Sequence, residues 1–433
     1  MANDAVREQV PPRLLPVLYF GTAHLALAIA FAAICVDPER VGAFFYQPRT
    51  LAIVHLVTLG WITASILGSL YLVGPIALRV RFAANWVDYA AFGLVVVGIG
   101  GMVAHFWLQE YRGMAWSAAT VGTGILVVGA RVLPQLFSAG VPSAVIAHIA
   151  LAFANLGGAA TLGVFIAFDK VHRFLPGAVL TNVYAHAHLA AIGWASMMVV
   201  GVGYRLLPMV LPAQMPNGPR LWITAVLLET GVIGLVVALL RESRFTWMFA
   251  LTIVGGFAAF LVQVTWMLRR PRPRPPALRT PDPAVFHALA AFASLLAAAG
   301  LGMWLALDDT FSPRLVLAYG VFGLIGFLAQ IVVGMEARLL PMFAWYWAFV
   351  NAEQKGPVRS PHLMGWRPGQ LIVCALWLVG VPALAAGLAF GVILLAGIAA
   401  WCLLAATLLD SVGVAIILRH AFRKPTGSSS TTS

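Results

Sequence analysis

The sequence predicts an all-α integral membrane protein, with about twelve transmembrane helices arranged as three pseudo-symmetric four-helix repeats. The first observation behind this prediction is composition. Of 433 residues, 61% are hydrophobic and only 10% are charged, against about 25% charged in an ordinary soluble domain. The second is a pattern that recurs at a fixed interval. His55-Leu56-Val57-Thr58-Leu59-Gly60-Trp61 runs on to Gly68, Tyr71 and Pro75, and further along the chain His188-Leu189-Ala190-Ala191-Ile192-Gly193-Trp194 runs on to Gly201, Tyr204 and Pro208. These copies match at seven positions without a gap. The same step again reaches Gly326, Phe327, Gly334 and Pro341, with Val321 where the histidine stood. Self-similarity at a fixed interval marks a repeat architecture.

Crossing a hydrocarbon core of roughly 30 Å takes about 20 apolar residues. In a first unit, approximately 1–140, such stretches fall at 14–36, 51–78, 84–108 and 115–137. The second, 141–278, holds 142–168, 181–211, 221–240 and 244–268. In the third, 279–425, they are 284–307, 312–345, 369–388 and 390–418, the division between the last two being the weakest. The repeated pattern therefore sits on helices two, six and ten. The Pro-Arg run from Pro271 to Pro276 reads as a stiff, basic linker between units two and three. Ala147-His148-Ile149 and Phe286-His287-Ala288 open the first helices of their units, and each histidine precedes an aspartate, Asp169 or Asp308, at the same spacing. Ala23-His24-Leu25 is the corresponding candidate in unit one, on a helix that ends sooner. All three units form one membrane domain, and the tail 426–433 is expected to be disordered.

Nineteen of the 27 Lys and Arg residues fall in the terminal segments, the even-numbered loops and the helix ends beside them, including Arg269, Arg270, Arg272, Arg274 and Arg279. The odd-numbered loops hold eight. By the positive-inside rule both termini are cytoplasmic. Much of the net charge of +12 is then a topological signal with some attraction to anionic membrane lipid, and it implies no nucleic-acid partner. Arg7 and Arg13 lead straight into the first helix without a small-residue cleavage site, so no cleavable signal peptide is expected. Cys35, Cys374 and Cys402 are too few and too scattered for a disulfide framework or a cysteine metal site. Trp107, Trp116, Trp345 and Trp347 fit an interfacial belt.

Ionisable residues inside membrane spans are costly and usually functional, so the histidines carry the argument. This topology puts His55, His186, His188 and His105 in the outer third, whereas His148 and His287 open helices that start inside. His24 lies mid-span. His172, His362 and His420 fall in loops or at helix ends, where solvation accounts for them. His186 and His188 are two positions apart and so point about 200° apart around the helix. They can face two different cavities. A histidine from helix two and one from helix six can approach a flat cofactor from opposite faces, as at a six-coordinate haem iron. Gly60, Gly68, Gly193 and Gly201 offer small surfaces for a macrocycle or a neighbouring helix to pack against. The plain alternative is tight helix packing, with the histidines hydrogen-bonded between helices.

The run Tyr184-Ala185-His186-Ala187-His188, followed by Gly193-Trp194, Gly201, Tyr204 and Pro208, resembles the haem-bearing helix of haem-copper oxidase subunit I. It is most similar to the cbb3-type and nitric-oxide-reductase branches and to the His-Ala-His helix of NnrS-type haem and copper membrane proteins. Those families have twelve helices in a threefold pseudo-symmetric ring with cytoplasmic termini. The architectural likeness covers nearly the whole chain, whereas the motif covers only the stretch from Tyr184 to Pro208 on helix six and, less fully, helix two. The resemblance implies a bacterial-type inner membrane, a b-type haem held by His55 with either His186 or His188 near the periplasmic side, and a second cavity faced by the remaining histidine. It also implies electron transfer or nitric oxide and oxygen chemistry, with a respiratory or electron-donor subunit as partner. Two departures matter. The His-x-His helix of the oxidases is the tenth, not the sixth, and their copper-binding histidine pair on helix seven is missing, since 221–240 contains no histidine. Copper is therefore unsupported, and if the protein is an enzyme it is an oxidoreductase of another kind. His105 and His24 are candidate ligands of a second metal site.

Glu229 in helix seven, Glu336 in helix ten and Asp410 in helix twelve are candidates for a proton path, with Glu336 neutral or paired to Arg338 as the simpler reading. Arg205 and Arg338 can reach the interface by snorkelling. A haem-free transporter or channel, or a scaffold subunit of a respiratory complex, is the alternative that uses the same polar residues.

Overall fold

The computed structural model describes residues 11–78, 80, 83–138, 140–308, 312–351 and 360–422; the tail 426–433 lies outside them. Among the described residues, twelve helices are long and apolar enough to cross a membrane. They are α1 (Leu14–Val36), α2 (Pro48–Ala77), α3 (Trp86–Leu108), α4 (Met114–Phe137), α5 (Ser143–His172), α6 (Val179–Val210), α7 (Arg220–Leu240), α8 (Thr246–Leu268), α9 (Pro283–Leu307), α10 (Pro313–Ala348), α11 (Arg367–Phe390) and α12 (Ile393–Phe422). A short helix, Pro38–Ala43, capped by the Asp37 side chain, lies between α1 and α2. Among the described residues the one departure from helix and loop is an isolated bridge between Ala213 and Pro271.

The helices α2, α6 and α10 are the most enclosed, which their sequence explains: their windows are apolar and 72%, 72% and 61% buried. Each changes to the wider π-helical turn at or just after the first position of the repeated pattern, over Leu56–Thr63, Leu189–Ser196 and Val321–Ala329. The Trp61 indole donates to the Ala329 carbonyl (3.4 Å) and the Trp194 indole to the Thr63 hydroxyl (3.0 Å), tying α2 to both other helices. Apolar periodicity gives no sign of π turns, because they keep the helix apolar while shifting which residues face which neighbour.

The pattern's glycines set how closely α2, α6 and α10 meet α1, α5 and α9. A Cβ on Gly60 would lie 2.4 Å from Ala26 Cβ, and one on Gly193 would lie 2.8 Å from Asn155 Cβ. On Gly68, Gly201 and Gly334 it would lie 2.9, 2.5 and 2.8 Å from the Cβ atoms of Tyr19, His148 and His287. These glycines therefore seat neighbouring helices; none of Gly60, Gly68, Gly193 and Gly201 lines the large cavity described below. The residue that Gly68 meets is Tyr19, not His24. Tyr19, a little over one helical turn before His24, occupies the level of His148 and His287.

The pattern's tyrosines hold the other flank. Tyr71 donates to Asp88 (2.9 Å), which also receives the Arg131 guanidinium (3.1 and 3.2 Å) and the backbone N–H of Asn85 in a capping box at the start of α3. Tyr204 donates to Thr224 (2.9 Å). Asp88 is buried, while the Arg131 side chain is 33% exposed. Removing one partner of a buried charge network strands the others and costs about 3–5 kcal/mol, whereas losing one neutral hydrogen bond costs about 1 kcal/mol. Asp88→Ala is therefore expected to lower stability by about 3 kcal/mol, the low end because Arg131 keeps water. Tyr204→Phe should cost about a third of that. Thermal unfolding of the detergent-solubilised variants checks the ranking, and equal losses would contradict it.

Arg338 is not the partner of Glu336. Its guanidinium pairs with Asp282, the N-cap of α9, and approaches His362 Nδ1 at 3.5 Å. Burial pushes the Asp282 carboxyl up from its ordinary value, with the Arg338 charge pulling against it, and burial pushes the His362 imidazole down. Arg338 thus ends in an ion pair with a residue just outside the α9 span. Trp107 and Trp116 are exposed as a belt requires, but Trp345 and Trp347 pack against the core.

Candidate functional site

A cavity of about 710 Å³ lies among the helices, within the 300–1,000 Å³ usual for cofactor sites. Its wall is overwhelmingly apolar, contributed by residues such as Met102, Phe106, Val121, Ile253 and Phe257, and it holds His55 and His188 of the repeated pattern together with His186.

Each imidazole is oriented by a carbonyl. Nδ1 lies 2.7 Å from Leu51 O in His55, 3.0 Å from Ala159 O in His186 and 2.8 Å from Tyr184 O in His188. A carbonyl oxygen only accepts, so Nδ1 donates and the lone pair of the neutral ring is on Nε2. For His55 and His188 the carbonyl is one turn back on the same helix, so local helix geometry sets the tautomer. His186 reaches across to α5, where Gly163 makes room: a Cβ there would lie 2.9 Å from His186 Cε1.

His55 and His186 lie within electrostatic range of one another, with Phe106 against the His55 ring (centroids 4.9 Å apart). His188 turns to α10. Its Nε2 accepts from the Tyr319 hydroxyl at 3.1 Å, and the rings stack at 5.9 Å. His55, His186 and His188 thus share one cavity, and of the three it is His188 whose Nε2 is engaged by a side chain of α10.

Tyr319 is the functional candidate that sequence reasoning missed, although the signal was there. The step along the chain from His186 to Tyr319 is the same as the step from His55 to His188. The pair His55–His186 between α2 and α6 therefore recurs as His188–Tyr319 between α6 and α10. The remaining combination of the same positions, Val321 with Ile53, is apolar and buried.

The other candidates fall elsewhere. His105 ends α3, its Nδ1 2.6 Å from the Glu110 carbonyl and Gly113 beside its ring. It does not join His24. His24 sits between Glu336 and Asp410, its Nε2 3.6 Å from a carboxylate oxygen of each. Glu229 accepts from Asn155 (2.8 Å), which also donates to the Gly193 carbonyl (3.3 Å). The three carboxylates thus occupy two settings, Glu229 with Asn155 and Glu336 with Asp410 around His24. His148 and His287 are fully buried packing residues, His148 edge-on to Tyr204 and His287 edge-on to Trp377.

No protein-family model matches this chain, and no curated protein matches it.

Proposed function

We propose that this protein is a haem-binding inner-membrane protein, similar to haem-copper oxidase subunit I and NnrS-type proteins, which transfers electrons or handles a diatomic gas such as nitric oxide. In this reading the twelve helices form three pseudo-symmetric units in a ring, with both termini cytoplasmic and the histidine cavity toward the periplasmic side. The observation that carries it is the pair of cavity-facing imidazoles from α2 and α6, His55 and His186, each with Nδ1 tied to a carbonyl. Metal-ligating histidines characteristically donate the second ring N–H to such a group, which fixes the ring and raises the basicity of the ligating nitrogen.

His55 and His186, with Nε2 free of the carbonyls that hold Nδ1, would hold a b-type haem, and the apolar cavity wall would surround it. When bound, such a haem supplies a one-electron couple. The chain's own residues set the rest. The carbonyls of Leu51 and Ala159 hold the two rings in place, and Phe106 with the surrounding apolar side chains excludes water from them. His188 and Tyr319 offer a second place where a ring nitrogen and a phenol O–H face one another. The hydroxyl can donate a hydrogen bond, or a proton, to a small molecule held there. Electrons come from a donor subunit or from quinol.

Oxidised and dithionite-reduced spectra of the purified protein, with and without carbon monoxide, test the proposal. The expected result is a Soret band with sharp reduced α and β bands that carbon monoxide leaves largely unchanged, as a six-coordinate haem requires. A featureless visible spectrum after haem-replete expression would remove the cofactor reading and leave a transporter or scaffold.

A further inference from the structure

We propose that His24, Glu336 and Asp410 form a buried binding site for one divalent transition-metal ion of the zinc, manganese or iron(II) class, separate from the histidine cavity. The three side chains come from α1, α10 and α12, and one ligand atom of each lies within 4.8 Å of the others. None of the three lines the large cavity.

The spacing is longer than a direct hydrogen bond and matches that of ligands around a shared ion. His24 Nδ1 is committed to the Phe20 carbonyl at 2.9 Å, so Nε2 is the ring nitrogen that faces the two carboxylates. At 3.6 Å from Glu336 Oε2 and 3.6 Å from Asp410 Oδ2, the contacts exceed normal hydrogen-bond lengths. His24 Nε2 and Glu336 Oε2 are both buried without a hydrogen-bond partner, and the residues are only 6% and 2% exposed. Ligands about 2.1 Å from a tetrahedral ion stand roughly 3.4 Å from one another, close to the observed spacing. An imidazole with two carboxylates suits zinc, manganese or iron(II), and a divalent charge balances both carboxylates where water is scarce.

The surroundings are those of a prepared site. The Phe20 carbonyl orients His24, Ser65 donates to the other Glu336 oxygen at 3.4 Å, and the Trp61 indole packs edge-on against the His24 ring with centroids 5.1 Å apart. Trp61 belongs to the repeated pattern and also bonds to α10, so an ion here would clamp α1, α10 and α12 beside the π-helical segment of α2. The inference does not rest on the haem reading.

The test is metal analysis of the full-length protein in detergent after chelation of loosely held ions, then titration with Zn2+ and with Mn2+ alone. Wild-type protein is expected to hold or take up one ion per chain. Glu336→Gln and Asp410→Asn should each weaken uptake at least about tenfold, with haem per chain as in wild type. No bound ion together with no uptake of either metal, or unchanged uptake in both variants, would overturn the site. X-ray absorption at the zinc edge keeps the test open if the variants do not fold. A nitrogen and oxygen shell with imidazole scattering is expected, and sulfur ligation or an all-oxygen shell would contradict the assignment. Haem is counted separately by pyridine haemochrome, so loss of either reading leaves the other standing.

Discussion

His55→Ala and His186→Ala are each expected to purify with at least about tenfold less haem than wild type. Even groups that merely orient a metal ligand contribute 10–100-fold in affinity, and these substitutions remove ligating nitrogens. Each leaves the ring opposite in place, its Nδ1 still held by Leu51 or Ala159, so the cavity keeps its shape while losing one axial bond. His188→Ala is the informative comparison. Its nitrogen already accepts from Tyr319, so the sharp α and β bands should persist in that variant while any second, carbon monoxide-sensitive component disappears. The measurement is haem per chain by pyridine haemochrome, with reduced spectra of all three variants. If His188→Ala abolishes the bands and His186→Ala spares them, the pairing of α2 with α6 through His186 is wrong.

The second large effect concerns packing. Gly60→Leu is expected to destabilise the protein by about 3 kcal/mol or more, the upper range for overfilling a packed interior. Its Cβ would lie 2.4 Å from Ala26 Cβ, and both atoms are fixed to helix backbones, so α1 and α2 must separate. Gly100→Leu provides the control. A Cβ at Gly100 meets nothing within 4 Å, and leucine faces lipid at little cost. Size-exclusion profiles and thermal midpoints in one detergent compare them. Equal behaviour would show that the α1–α2 approach does not depend on the glycine.

Much of the fold was legible because lipid forces a simple code. Backbone groups must be satisfied within each span, so long apolar stretches become helices, and the twelve expected stretches are those found. Helix two was predicted to begin at 51 and begins at Pro48, and helix ten, predicted over 312–345, runs Pro313–Ala348, because helix ends extend into polar flanks that hydropathy does not score. The histidines of the cavity were legible for a related reason, since polar rings at matching depths in an apolar helix stand out.

What stayed hidden depends on contacts between helices. The direction in which His186 and His188 turn is set by partners on other helices, the Ala159 carbonyl beside Gly163 and the Tyr319 hydroxyl, which leave no periodic trace. His24, Glu336 and Asp410 lie far apart along the chain, and nothing in sequence says that three polar residues on α1, α10 and α12 share one small space. Tyr319 was readable in principle. The offset that revealed the repeat also points to it, but a tyrosine near a helix start resembles an interfacial anchor until its hydroxyl is seen at His188.

The central claim is that α2 and α6 present two imidazoles to one haem iron. Low-temperature electron paramagnetic resonance of the oxidised wild-type protein, with near-infrared magnetic circular dichroism on the same sample, tests it most directly because these spectra report the axial ligands themselves. A low-spin ferric signal with bis-imidazole character, present in His188→Ala and absent in His186→Ala, is the predicted result. A purely high-spin signal, axial ligation other than two imidazoles, or no haem signal from haem-replete cells would contradict the account.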